Sequence, residues 1–158
     1  MIVGDFDADG ASSCTLAILA IKAMGYNNID FLIPNRFEFG YGLTSEIVEQ
    51  AKKKSPDLII TVDNGISSID GVNTANKAGI KVIITDHHLP GKQLPEASVI
   101  VNPNQKNDAF KSKSLAGVGV IFYVMTALKK ELIKRGWFDR KEIKVPDISD
   151  FLDLVALG

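Results

Sequence analysis

The residues of this chain best suited to chemistry are carboxylates and imidazoles gathered in three short stretches. "VGDFDADG", Val3 to Gly10, carries Asp5, Asp7 and Asp9 at alternate positions, "TVDNG" carries Asp63, and "TDHH" carries Asp86, His87 and His88. Like charges this close repel, and one of them takes up a proton to relieve the repulsion unless a cation sits among them. Several carboxylates with one or two imidazoles and no cysteine suit Mn²⁺ or Mg²⁺ better than Zn²⁺ or iron. Two such ions, roughly 3.5–4 Å apart and bridged by one carboxylate and a hydroxide, would be built for in-line attack at phosphorus.

The elements that must position these residues follow from hydrophobic patterning. Short β-branched runs alternate with helix-like runs, the pattern of a parallel sheet covered by helices. Strands are expected at Ile2–Gly4, Ile29–Ile33, Leu58–Val62, Lys81–Thr85 and Val99–Val101. Helices are expected at about Ala11–Met24, Thr44–Lys54 and Ser68–Ala78, with Gly25, Ser55-Pro56 and Gly79 as stops. A longer helix should run from Val118 to Arg135, capped by Ser114 and ended at Gly136, with "GWFDRKEIKVP" as a connector to a last helix at Ile148–Leu157. The expected fold class is therefore α/β, an open, mainly parallel five-stranded sheet with helices on both faces. All three acidic stretches then follow the carboxyl ends of strands, the edge where open α/β sheets bind ligands.

Taken singly, each stretch has a plainer reading. A lone Asp after a strand is usually a turn former or helix cap, "DNG" is good turn chemistry, and paired histidines in a loop are commonly ordinary surface. Three coincidences on one sheet edge are harder to explain that way. The chain of 158 residues, 46% apolar, is one domain in size. Its net charge of −1 excludes a globally basic nucleic-acid binder, so contact with a polyanion would need a local patch, a metal or another domain. Cys14 is the only cysteine, which excludes an internal disulfide and points to a reducing compartment. No signal-like start and no run of about 18 apolar residues is present, so a cytoplasmic protein without a membrane partner is expected.

Other α/β sites fit less well. A dinucleotide fold wants glycines where Asp5, Asp7 and Asp9 stand, because pyrophosphate approaches the helix N-terminus there. No phosphate-loop Gly-Lys-Ser/Thr occurs. A phospho-accepting receiver would use Asp63 with Thr85 and Lys106, leaving His87 and His88 without a task. "DADGA" is also like the motif of aspartate-nucleophile phosphatases, but Ala11 stands where Thr or Val is expected.

"VGDFDADG", "VDNG" and "TDHH", in this order, resemble the first three motifs of the DHH phosphoesterase superfamily. "FLIPNRFEFGYGL", "TVDNGISS", "TDHHLPG", "VNPNQ", "KSLAGVGVIFY" and "LDLVALG" resemble its RecJ-type single-stranded-DNA exonucleases, and the resemblance covers essentially the whole chain. It implies a metal-dependent phosphodiester hydrolase that removes nucleotides from the 5′ end of single-stranded DNA in repair and recombination, with two Mn²⁺ or Mg²⁺ ions. A single-stranded-DNA-binding protein and a helicase are the partners it implies. The superfamily also holds phosphodiesterases and pyrophosphatases of small substrates, and non-catalytic replication scaffolds that have lost ligands.

Carried over by position, the resemblance makes Asp7 and Asp9 the paired metal aspartates and Asp63 the bridging, catalytic carboxylate. His87 becomes the imidazole ligand and His88 the acid-catalytic or supporting histidine. Asp5 binds a metal or orients the cluster, and Asp86 holds a histidine through its ring N–H. Arg36 is a candidate phosphate contact, and Phe37, Phe39 and Tyr41 are candidates for stacking on bases. A further metal aspartate is expected beyond Gly158, with Asp153 a weaker candidate. The chain is accordingly expected to be a catalytic domain, 1–158, truncated at both ends, without the C-terminal DNA-binding domain and inactive by itself.

Overall fold

A computed structural model describes residues 1–35 and 40–158. Five strands, β1 (Ile2–Val3), β2 (Phe31–Leu32), β3 (Leu58–Val62), β4 (Lys81–Thr85) and β5 (Val99–Val101), form one sheet in the order β2-β1-β3-β4-β5. Every pairing is parallel, with Ile2 opposite both Phe31 and Ile60, and Val62 opposite Thr85. The chain moves from β1 outward to β2 and then returns to the other side of β1 with β3. The direction of winding therefore reverses between β1 and β3, which opens a crevice at their carboxyl ends.

Alternation along the strands sends side chains to two separate cores. Ile2 and Val62 join Leu16, Ala20, Ile121 and Met125 on one face, covered by α1 (Ala8–Ala23) and α4 (Gly117–Lys134). Val3, Ile59, Val82 and Ile84 join Ile47, Val48 and Val72 on the other, covered by α2 (Ser45–Lys52) and α3 (Ile69–Lys77). Both faces of the sheet are thus helix-covered, which is why its strands read as near-continuous apolar runs.

Some local expectations change. α1 begins at Ala8 because the Asp7 side chain caps it, accepting from the Gly10 N–H at 2.8 Å, so Asp9 lies in its first turn. β2 is shorter than expected, pairing only with β1 at the sheet edge. Part of the connector forms a short helix, α5 (Trp137–Lys141), after Gly136 turns at φ +62. The Trp137 indole N–H donates to the Met24 carbonyl at 2.8 Å and its ring stacks on Tyr26 at 4.6 Å, which anchors this turn. The last helix divides into a 3₁₀ turn at Ile148–Phe151 and α6 (Leu152–Val155). Ser114 does not cap α4. Its N-cap is Ala116, which offers no side-chain hydrogen bond.

Candidate metal centre

After β3 the chain makes a turn with little freedom. Asp63 has φ +63, in the left-handed region that residues other than Gly, Asn and Asp seldom enter. Its N–H donates to the Thr85 carbonyl at 3.0 Å, extending the β3–β4 ladder by one step. Asn64 Nδ2 donates to the Val3 and Val62 carbonyls at 3.2 and 3.0 Å, lacing β1 to β3. Thr61 Oγ1 donates to the Asn64 carbonyl at 2.7 Å. Held this way, Asp63 is 1% exposed, yet its Oδ1 accepts no hydrogen bond. The His87 imidazole faces that oxygen with Nε2 at 3.1 Å.

After β1, Asp5 is buried at 4% exposure, with Oδ1 accepting from the Phe6 N–H at 2.7 Å. Asp9 reaches across to α4, its Oδ2 and Oδ1 accepting from the Gly117 and Val118 N–H groups, each at 2.7 Å. This carboxylate occupies the positive end of an 18-residue helix and satisfies two of its free donors. Its Oδ2 also lies 3.6 Å from His87 Nε2. Gly117 can stand here only because it lacks a side chain, since a Cβ would fall 2.4 Å from Asp63 Oδ1.

After β4, Asp86 organises the histidines. It is 1% exposed, and its Oδ1 accepts from the His87 and His88 N–H groups at 2.7 and 3.0 Å and lies 2.7 Å from His88 Nδ1. Its Oδ2 accepts from the Ile66 N–H at 2.8 Å. The Tyr41 hydroxyl stands 3.1 Å from His88 Nε2, its ring edge-on to the imidazole. Burial, then the nearby Asp5, Asp86, Asp63 and Asp7, pushes the Tyr41 hydroxyl far above its ordinary range, so it stays protonated. His88 thus has one nitrogen on Asp86 and the other beside a donor, which leaves His87 as the imidazole open to a cation.

Two groups of potential ligand atoms result. Asp5, Asp7 and Asp63 offer oxygens within 4.8 Å of one another, and Asp63, His87 and His88 form a second such group. Asp63 belongs to both. Burial, reinforced by Asp9, Asp7, Asp86 and Asp5, pushes the Asp63 carboxyl up to about 9. Burial also raises Asp5, assisted by Asp7 and opposed by the Phe6 N–H, His88 and the Tyr41 hydroxyl. Among the described residues no Lys or Arg pairs with these carboxylates. A buried acceptor without a donor, amid like charges, fits an oxygen-preferring divalent cation.

The structure brings Asp5, Asp7, Asp9, Asp63, Asp86, His87 and His88 to one end of the sheet. Arg36, Phe37 and Phe39 lie outside the described residues. Tyr41 stands against His88 and is half-exposed. Asp153 lies in the first turn of α6, its Oδ1 accepting from the Leu154 N–H at 2.8 Å. The Thr85 hydroxyl donates to the Thr61 carbonyl inside the sheet, which removes the helper that a receiver site would need. Gly117 was not legible as a site residue, because it reads as ordinary helix packing and only its approach to Asp63 distinguishes it.

Comparison with known proteins agrees with this geometry. The chain is 58% identical over all 158 residues to the single-stranded-DNA-specific exonuclease RecJ of Escherichia coli (strain K12), and 40% identical to that of Bacillus subtilis (strain 168). It spans 27% and 18% of the length of these relatives. Among solved structures it superposes on exonuclease RecJ bound to manganese with a TM-score of 0.77 at 34% identity, over 98% of this chain and 36% of that one. It superposes on RecJ in complex with Mn²⁺ from Thermus thermophilus with a TM-score of 0.72 at 31% identity, over 98% of this chain and 20% of that one. A family model described as "DHH family, N-terminal domain" matches residues 1–158, and with its acidic and histidine residues gathered at the β1–β3 crevice the chain belongs to the DHH family.

Proposed function

We propose that this domain is the metal-binding catalytic part of a 5′-to-3′ exonuclease acting on single-stranded DNA in repair and recombination. The observation that carries the reading is Asp63, shared by two clusters of potential ligands and left with a buried, unsatisfied oxygen. Because the chain spans about a quarter of its E. coli relative, the activity belongs to the protein of which 1–158 is the catalytic domain. Within this domain Arg36 is assigned a phosphate contact, and the rest of the DNA grip is assigned to the remainder of that protein.

In this reading Asp5, Asp7, Asp9, Asp63 and His87 hold two Mn²⁺ or Mg²⁺ ions. When bound there, such ions would supply water activation and charge neutralisation at the phosphoryl group. Asp63 is the common ligand, kept aimed by its left-handed turn. Asp9 is braced by the α4 N-terminus, so its carboxylate cannot swing away from His87. His88, held at Nδ1 by Asp86, is the residue assigned to proton transfer to the departing 3′-oxygen, with the Tyr41 hydroxyl within reach of its Nε2. A helicase and a single-stranded-DNA-binding protein would supply and guard the strand.

A cytoplasmic setting fits the single cysteine, Cys14, which is buried and whose thiol burial pushes up to about 11. Among the described residues no helix is long and apolar enough to cross a membrane.

The test is single-stranded DNA labelled at its 5′ or 3′ end, incubated with the full-length protein and Mn²⁺. Early release of the 5′ label as mononucleotide is expected. Intact DNA, with turnover of pyrophosphate or a dinucleotide instead, would move the protein to the small-substrate branch of the family.

A further inference from the structure

The segment carrying both histidines lies beyond the last ladder bond of β4, where Asp86 N–H donates to the Val101 carbonyl at 3.1 Å. No strand or helix holds His87 and His88, so their backbone groups must be satisfied in another way. Both N–H groups donate to Asp86 Oδ1, as described above. Both carbonyls are taken by side chains from the turn after β5. Asn102 Nδ2 donates to the His88 carbonyl at 2.9 Å, and Asn104 Nδ2 donates to the His87 carbonyl.

The two asparagines are themselves interlocked. Asn102 is 2% exposed, and its Oδ1 accepts from the Asn104 N–H at 2.7 Å. Asn104 Nδ2 also donates to the Lys113 carbonyl at 3.3 Å, tying down the loop that leads to α4. The residue type is demanding at both positions. Each must donate to a carbonyl oxygen, which aspartate cannot do when ionised and alanine cannot do at all. Asn102 must in addition accept a backbone N–H.

We propose that Asn102 and Asn104 are positioning residues of the metal centre, clamping the backbone of His87 and His88 so that His87 Nε2 meets a cation held by Asp63. The proposal rests on the metal-centre reading above. The imidazole stands at the end of a lever of two rotatable bonds from this backbone, so a small change in either peptide plane is magnified at Nε2. A misplacement of about 1 Å at a reacting centre costs on the order of 100-fold in rate.

The test uses the full-length protein with Asn104→Ala, at a half-buried position, and Asn102→Asp, which keeps the acceptor and loses the donor. Mn²⁺ alone is titrated by calorimetry, kcat and KM are measured on single-stranded DNA, and melting is followed in EDTA. Each variant should weaken Mn²⁺ binding by about tenfold and lower kcat by roughly 10- to 100-fold, the range for residues that orient metal ligands. KM for DNA and the melting temperature in EDTA should stay near those of the parent. Parental Mn²⁺ affinity and kcat in Asn104→Ala, or a lowered melting temperature with parental Mn²⁺ affinity, would overturn the proposal, and Asn104→Ala decides alone should Asn102→Asp not fold. A parent protein that binds Mn²⁺ without cleaving DNA would sink the exonuclease reading, while the Mn²⁺ titrations would still decide this one.

Discussion

Asp63 combines three unfavourable circumstances in one residue: a left-handed backbone, almost complete burial and a carboxylate oxygen without a donor. Each costs free energy in the metal-free chain, and strain of this kind is concentrated where function requires it. Asp63→Asn separates these effects, because asparagine tolerates the same φ and has nearly the same shape but carries no charge. The variant should fold, melt higher than the parent in EDTA at pH 8, and fail to bind Mn²⁺. Hydrolysis of single-stranded DNA by the full-length protein should fall more than about 100-fold, beyond the usual effect of residues that merely support a ligand. Calorimetry with Mn²⁺ and an end-labelled strand check both, and retention of more than about 5% of the parental rate would count against a shared-ligand centre.

At the level of elements, the strands and most helices were legible because their signals are local: β-branched runs for β3 and β4, Thr44 before α2, Gly25 and Gly79 after α1 and α3. The sequence order of Asp63 and the TDHH stretch after those strands also made their common edge legible. The start of α4 was legible to within one residue, but what caps it was not, because the capping side chain lies far away in sequence. Ser114 is a reasonable local candidate, yet the donors of Gly117 and Val118 are taken by Asp9, 108 and 109 positions earlier. No rule that inspects neighbouring residues can find such a cap. The same contact explains Gly117, which reads as a helix-packing residue and instead lets α4 approach Asp63. Gly117→Ala should gain intrinsic helix propensity, up to about 1 kcal/mol in a helix interior. Its Cβ would nevertheless fall 2.4 Å from Asp63 Oδ1 and force that carboxylate aside. The expected result is Mn²⁺ binding weakened by about tenfold with little change in melting temperature in EDTA. Parental Mn²⁺ affinity in this variant would show that α4 does not constrain the centre.

For the molecule as a whole, a net charge of −1 conceals a local excess of negative charge at one end of the sheet. Its thermodynamic consequence follows from the Asp63 carboxyl, raised from 3.8 to about 9 by burial and then by the neighbouring aspartates. Between those values the folded, metal-free chain holds a proton that the unfolded chain has released. Stability must then fall as pH rises through that window, with a slope of up to about 1.4 kcal/mol per pH unit for one such group. The raised Asp5 carboxyl acts in the same direction. A divalent cation competes with that proton, so its stabilising effect should grow as pH rises. At a concentration 100 times its dissociation constant, a bound ion stabilises the fold by about 2.7 kcal/mol. Melting curves of residues 1–158 between pH 5 and 9, in EDTA and in excess Mn²⁺, test both relations. The EDTA series should decline with pH and the Mn²⁺ series should be flatter, so that the gap between them widens toward pH 9. An EDTA series that rises with pH, or a Mn²⁺ shift that is the same at pH 5 and pH 8, would mean that the buried carboxylates are not the groups that the cation relieves.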